Sequence, residues 1–390
     1  MTQPAAIPSE CQSAVIGGGI VGMCAAWFLA EAGHDVVCVD LGAHAGSTAN
    51  AGSLHVQMQS RFIRMYPGLA PAVERALPLY PRAVRHWESL AQRLGEPIEL
   101  KVSGGLMVAE TQEHYAFLAD KCRREERLGL KVEMLDRAAV ARMAPYLGPA
   151  IIGAEFCADE GKLNPLLANA AIRRRALAAG VRIASETQVE RLTRDGAAFK
   201  VTTRRGSLRA GRIVLAAGAG SGRLAADLGV HAPTEAEPLH MNITEPTAPH
   251  IAHLVQHADR PITLKQLAAG HVVIGGGWPA DLAGEARHPT VRLSSLIGNI
   301  SLAQHVAPAI GSLRLLRTWA GINTTTDGRP VLGEAGGAPG LFFAIPGDAG
   351  YTLGPLCARL AADLVLDRAC EIDVADYSPD RFRAPIPAAT

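Results

Sequence analysis

Residues Ser13–Asp40 read SAVIGGGIVGMCAAWFLAEAGHDVVCVD. Ser13–Ile16 is a short apolar run ending on glycines, the pattern of a buried parallel strand, and Ile20–Ala32, rich in alanine and leucine, predicts a helix. Gly33 stops that helix and His34–Asp40 predicts a second strand ending in an acid, so the unit is β-α-β. Inside it, Gly17-x-Gly19-x-x-Gly22 falls at the strand-to-helix turn, with Ile20 and Val21 opening the helix. One glycine suits the tight turn, one lets backbone approach a pyrophosphate and one lets helix and strand touch, while the helix amino terminus faces the phosphates. Asp40 lies 18 residues beyond Gly22, where a carboxylate accepts from ribose hydroxyls and repels a 2′-phosphate. Glycines alone would also fit a bare turn. Strand, helix, strand and terminal acid in that order predict a bound dinucleotide.

The rest of the chain sets bounds on what such a unit can serve. There are 390 residues with 40 glycines, above the roughly 7% of an average chain. The length predicts two or three units of about 150 residues. With 38 basic and 37 acidic side chains, no global field recruits nucleic acid or an anionic membrane. The seven cysteines form no CxxC pair, which argues against a disulfide framework, a zinc ribbon or a cysteine-ligated cluster and predicts a reducing compartment. Cys11–Ala30 is uncharged, yet four glycines interrupt it, so neither a membrane span nor a signal peptide is expected. The expected location is cytoplasmic, with peripheral attachment at the inner membrane face left open.

After Asp40 comes LGAHAGSTANAGSLH (Leu41–His55), small residues built for close backbone approach: Ser47, Thr48 and Asn50 offer polar groups, and Ala49, Ala51 and Gly52 leave room for a flat ring. With VIGGGIVG and VVCVD, this STANAG segment resembles the FAD-dependent D-amino acid oxidase and glycine oxidase superfamily. Lys162–Gly180 resembles the family helix before a strand, and Val181–Leu192 the segment whose backbone valine, here Val189, meets the adenine. Arg212–Gly222 resembles a second glycine turn, with Ala217 and Gly218 beside the cofactor. TWAGINTTTDGRPVLG and GLFFAIPGDAGYTLGP resemble the closing flavin segment, which places Gly347, Gly350, Tyr351, Thr352 and Leu353 at the flavin pyrimidine edge. Helix Cys357–Asp367 follows, and a helix amino terminus there would favour the anionic reduced flavin.

The resemblance implies an α/β plus α+β fold: a Rossmann-type FAD-binding domain from 1–88, 150–225 and 318–390, interleaved with a substrate domain of 89–149 and 226–317 on a mainly antiparallel sheet. Independently, Ile262–Gly277 reads as two apolar strands around Ala269-Gly270. The implied reaction is oxidation of a carbon–nitrogen bond of an amino acid or secondary amine by hydride transfer to noncovalently bound FAD. A second nucleotide fold for NAD(P)H is not legible: Gly275–Gly277 is followed by Trp278-Pro279, and Gly218-x-Gly220-x-Gly222 has the wrong spacing.

Substrate carboxylates usually call for an arginine fork. Glycine oxidase-like members carry arginine in WAGLRP, whereas this chain has Asn323 after Trp319-Ala320-Gly321-Ile322. Candidate cations are therefore Arg317, Lys265, Arg61 and Arg64, with His55 and Tyr351 as further substrate-positioning candidates. STANAGSLHVQMQSRF and the Gly-Tyr-Thr-Leu-Gly-Pro turn are most similar to β subunits of opine oxidases and related dye-linked amine dehydrogenases, a group that includes hydrogen cyanide synthase. That similarity implies a hetero-oligomer with a second flavoprotein or a small iron–sulfur subunit, FMN or the cluster being on, or shared with, the partner. Monomeric sarcosine oxidases carry an oxygen-activating lysine in the strand matching His271–Gly277, where Val273 stands here, so a dehydrogenase is expected over an oxidase. The alternatives are an amino-acid oxidase using O2 and a noncatalytic flavin-binding scaffold subunit. His250, His253 and His257 have the spacing of one helical face but no completing carboxylate or cysteine, and read as surface or interface histidines, not a metal site. Arg173–Arg175, Arg204-Arg205 and the mixed-charge Lys121–Arg127 read as solvated faces.

Overall fold

The computed structural model describes residues 7–43, 46–248, 250–282 and 288–383. The expected FAD-domain stretches extend outside these described residues at 1–6, 44–45 and 384–390, and the expected substrate-domain stretch at 249 and 283–287. The first strand, Glu10–Ile16, starts three residues before the apolar run because Glu10 and Cys11 pair with Arg209 and Ala210. It lies parallel to Val36–Val39 on one side and Gly206–Leu215 on the other. Arg182–Ala184 and Leu341–Ile345 add further parallel strands, and antiparallel edges complete an eight-stranded sheet. Helix Ile20–Glu31 crosses from the first strand to the second, and its Met23, Trp27, Phe28 and Leu29 are buried. Each such side chain contributes up to about 1.5–3 kcal/mol by leaving water. The helix is apolar all round because it packs between that sheet and the helices Pro165–Ala178 and Gly350–Val365.

The second sheet also has eight strands, ordered Leu315–Thr325, Glu235–Pro246, His271–Gly275, Thr263–Gln266, Leu254–His257, Gly105–Ala109, Gly153–Cys157, Val132–Asp136. All neighbours are antiparallel except Leu254–His257 with Gly105–Ala109. One face packs on helices Arg137–Met143 and Leu293–Val306 in a core around Leu106, Val140, Leu264 and Val306. Two expected boundaries differ. Strand Gly153–Cys157 bonds to Gly105–Ala109 and Val132–Asp136, and Leu315–Thr325 pairs along Glu235–Pro246, so both sit in the second sheet, not the first. A ribbon of Ser53–Leu54, Gly161–Lys162 and Lys101–Val102 ties the loop after the second strand to the segments entering that sheet.

Two surface expectations are corrected. The mixed-charge segment lies on helix Gln112–Arg127, but Leu118, Lys121, Cys122 and Glu125 share its inward stripe, and Lys121 and Glu125 are fully buried. The three spaced histidines lie on no helix: His257 ends strand Leu254–His257 and is buried, while His253 bonds the Tyr146 hydroxyl at 2.9 Å. Among the described residues no helix is long and apolar enough to cross a membrane.

Candidate functional site

A cavity of about 1420 Å³ lies between the carboxyl ends of the first sheet and the face of the second. Gly17, Gly19, Ile20, Val21, Asp40, Leu41, Ser47, Thr48, Ala49, Asn50 and Ala51 line it. Val189, Ala217, Gly218, Gly347, Gly350, Tyr351 and Thr352 line it as well, with Ala217 beside Gly17. The cradle is shaped for main chain. A Cβ on Gly22 would fall 1.8 Å from the Gly17 carbonyl oxygen, and one on Gly52, at φ +76°, would fall 2.4 Å from that of Leu163. Gly22, Gly52 and Leu353 are themselves behind the wall: Leu353 is fully buried in the core. Asp40 accepts from the Gly42 N–H at 3.1 Å, and its carboxyl stands against Gly18, where a Cβ would fall 2.3 Å from Cγ. Such a glycine-lined wall, with a carboxylate beside it, fits an extended dinucleotide.

The small-residue loop is held from several sides. Ser47 Oγ accepts from the Ile20 N–H at 2.8 Å, Asn50 Oδ1 accepts from the Gly52 N–H at 2.7 Å, and the Trp319 indole donates to the Ala49 carbonyl at 2.8 Å. The WAG segment thus acts as a strut for the loop. The second sheet also lines the cavity, through His240, Met241, Gln256, Thr263 and Gly275, and Gln57 and Met58 line it from the stretch that leaves the loop.

The substrate candidates divide. His55 lines the cavity, its N–H donating to Thr352 Oγ1 at 3.0 Å and its Nδ1 without a partner among the described residues. Burial, then the nearby Lys265 charge, push its imidazole down to about 4. Lys265 is fully buried behind Gly52, with the Leu163 carbonyl 3.4 Å from its Nζ; burial pulls this ammonium well below its usual value. Asn323 lines the cavity and donates to Glu237 at 3.0 Å and Asp348 at 3.2 Å, so its amide is held between two carboxylates. Burial, then Glu237, push Asp348 up to about 6. Arg317 is off the wall, exposed over the Trp319 ring. The Tyr351 hydroxyl is committed to the Pro165 carbonyl and Asn169, and its ring stacks on Trp87. Arg61 stands at the rim, donating to the Asp259 carbonyl, while Arg64 pairs with Glu113 and Asp259.

Other groups at the site carried no sequence signal of their own. Arg173, expected on a solvated face, lines the end near Val189 and donates to Ser185. Arg260 lines the rim and pairs with Glu110 at 2.9 Å. Behind Gln57 and Gln256 lies a buried ionic group of Lys121, Glu125, Glu155 and Glu160. Burial, against several hydrogen bonds, pushes Glu160 up to about 7. The clue available in the sequence was that Lys121 and Glu125 share the i, i+3, i+4, i+7 stripe of Leu118 and Cys122.

Residues 13–364, which hold both sheets and every wall of the cavity, match the model of the FAD dependent oxidoreductase family DAO. The chain belongs to that family. As a DAO-family flavoprotein it is similar to an opine oxidase subunit of Rhizobium meliloti, 26% identical with 96% of this chain and 98% of the relative covered. It is as similar, at 26% identity over 94% of this chain and 96% of the relative, to glycine oxidase of Geobacillus kaustophilus. The crystal structure of glycine oxidase from Geobacillus kaustophilus superposes with a TM-score of 0.85 over 97% of this chain and all of that one, at 24% identity. A DAO-family chain uses FAD, and the glycine cradle described above has the form that cofactor needs.

Proposed function

We propose that this DAO-family chain oxidises the carbon–nitrogen bond of a secondary amine bearing a carboxylate, an opine, imino acid or N-alkyl amino acid, and passes the electrons to a partner subunit or dye-type acceptor. The observation that carries this reading is the cavity itself. One cavity takes in both the glycine-lined stretch and, from the second sheet and the segment after the small-residue loop, the chamber residues Gln57, Met241, Gln256 and Thr263, with Glu237 and Asp348 also on its lining and the exposed Arg61 and Arg260 at its rim. FAD, when bound, accepts the hydride released from the substrate α-carbon. The chain has to hold the amine in near-attack geometry and exclude water.

On this reading Gly17, Gly19, Ile20 and Val21 hold the pyrophosphate, Asp40 and Leu41 the ribose, Val189, Ala217 and Gly218 the adenine side, and Ser47–Ala51 with Gly347 and Gly350–Thr352 the flavin, noncovalently, while Gly22, Gly52 and Leu353 back that wall from behind. The stretches 1–88, 150–225 and 318–390 would make up most of the FAD domain, and 89–149 with 226–317 most of the substrate domain. His55, kept neutral by burial and by the nearby Lys265 charge, would line the chamber as an uncharged group beside an amine that enters as the free base. Arg61 and Arg260 at the rim suit a carboxylate better than Arg317, which is off the wall, and Asn323 with Glu237 and Asp348 disfavours a carboxylate beside it. That the opine oxidase relative is itself a subunit supports a heteromeric assembly. A second reading, a flavin-binding scaffold subunit, is favoured by one observation: among the described residues no arginine lies deep in the chamber.

Anaerobic mixing tests the proposal. Sarcosine, proline and carboxyethyl amino acids are mixed with the purified flavoprotein, and at least one class should bleach the long-wavelength flavin band, with turnover faster in dichlorophenolindophenol than in oxygen. A flavin that dithionite reduces and none of these amines does would overturn the catalytic reading in favour of the scaffold.

A further inference from the structure

Three carboxyl groups and one ammonium are fully buried together beside the chamber: Glu125, Glu155, Glu160 and Lys121. Lys121 Nζ lies 2.9 Å from Glu125 and 2.7 Å from Glu155. Burying ions costs free energy that an apolar replacement would avoid, so stability alone does not account for such a group. What its oxygens bind besides Lys121 is informative. Glu160 Oε1 accepts the backbone N–H groups of Val56 at 2.8 Å and Gln57 at 3.2 Å, and Glu125 Oε1 accepts that of Met58 at 2.5 Å. Glu160 Oε2 accepts the side-chain amides of Gln57 at 3.0 Å and Gln256 at 3.2 Å. A Gln57 amide turned to Glu160 presents its oxygen to Lys121, at 3.3 Å.

Three successive N–H groups on the stretch leaving the small-residue loop are therefore clasped by carboxylates from elsewhere: the turn after Gly153–Cys157 and the helix Gln112–Arg127. The same Glu160 holds Gln256, on the facing strand of the second sheet. Room for it is made by Gly105, where a Cβ would fall 1.8 Å from Glu160 Oε2. One carboxylate thus sets the spacing between the loop side and the sheet side of the chamber.

We propose that Glu160, supported by Glu125 and Lys121, is a positioning residue for amine oxidation, fixing Val56–Met58 against Gln256 so that substrate is held in register with the cofactor trough. The inference rests on the amine-oxidation reading above. A displacement of the wall by about 1 Å is enough to cost up to a hundredfold in rate.

The test uses the FAD-loaded protein and three variants. Glu160→Gln keeps an oxygen that can accept from Val56 and Gln57; Glu160→Met removes it; Gly105→Ala keeps every ionic group and displaces the carboxylate. Backbone hydrogen exchange over residues 53–60 and the limiting rate of anaerobic flavin reduction by the best amine are both measured, at saturating FAD. Glu160→Met and Gly105→Ala should speed exchange in that segment and lower the limiting rate tenfold or more, with the amine dissociation constant changed less than threefold. Glu160→Gln should keep at least half the rate. Faster exchange with an unchanged rate would make the clasp merely structural and overturn the proposal, as would unchanged exchange in Glu160→Met. Exchange reads the clasp whether or not any amine reduces the flavin. Wild-type protein with a protected segment but no reduction would sink the amine reading, and positioning with it, while leaving the clasp in place.

Discussion

At the scale of single residues the proposed cofactor trough is made by atoms that are missing. Gly22→Ala would set a methyl group 1.8 Å from the Gly17 carbonyl oxygen, a distance only main-chain movement can relieve, because both partners belong to the same turn. The expected result is loss of most bound flavin after purification, with apoprotein destabilised by about 1–3 kcal/mol as for other overpacked sites; urea unfolding and the flavin-to-protein absorbance ratio measure both. Full flavin content would show that the turn is not the phosphate cradle. These glycines were legible because spacing alone fixes them, whereas the ionic group was not. Lys121 and Glu125 look like a solvent pair at i, i+4, and only the stripe they share with Leu118 and Cys122 points inward. Their neighbours Glu155 and Glu160 come from a distant strand and turn, a grouping that no local pattern encodes. Likewise Arg317 was a natural candidate beside WAG, yet on strand Leu315–Thr325 it lies away from the cavity that Asn323 lines.

At the scale of elements, the helix Gly350–Val365 carries Pro355 in its second turn. Proline has no N–H, so the Tyr351 carbonyl, four residues earlier, loses its intrahelical donor. The Trp87 indole supplies it at 3.0 Å from helix Leu79–Leu94, while the two rings stack at 5.5 Å. A bond that the helix cannot make within itself is thereby replaced by a bond between helices, at the turn that lines the cavity through Tyr351 and Thr352. Trp87→Phe keeps an aromatic ring against Tyr351 and removes the donor. It should destabilise the protein by about 1–3 kcal/mol, the cost of a buried carbonyl left unpaired, and Pro355→Ala in the same background should recover part of that by restoring an N–H. Urea unfolding of the two variants decides; a double variant no more stable than the single one would mean that Trp87 acts through packing alone. The β-α-β unit and the hairpin around Ala269-Gly270 were readable from periodicity, but a bond between residues 264 apart in sequence is set by how the helices pack, which periodicity does not record.

At the scale of the whole molecule, titration behaviour follows from what the two sheets and their cores bury. His55, His86 and His257 are each pushed down to about 4, chiefly by burial, and His34, His240 and His253 are lowered in the same direction. The unfolded chain binds protons at these imidazoles near pH 6.5, before the folded one does, so their contribution to stability is present above that pH and is lost as pH falls towards 4. Three carboxyls act in the opposite sense. Glu160, raised to about 7, Asp348, raised to about 6, and Glu155, raised well above the usual range, take up protons in the folded state first, so each favours folding more as pH falls through the same window. Six groups oppose three, and the melting temperature should fall on acidification from pH 7.5 to 5, read from the release of flavin fluorescence. Glu160→Gln removes one of the three compensating groups while leaving an acceptor for Val56 and Gln57. Its melting temperature should therefore fall more steeply than that of the wild type over the same interval. A parallel fall in the two proteins would mean that Glu160 stays ionised throughout this range, with the Val56, Gln57 and Gln256 donors outweighing the cost of its burial.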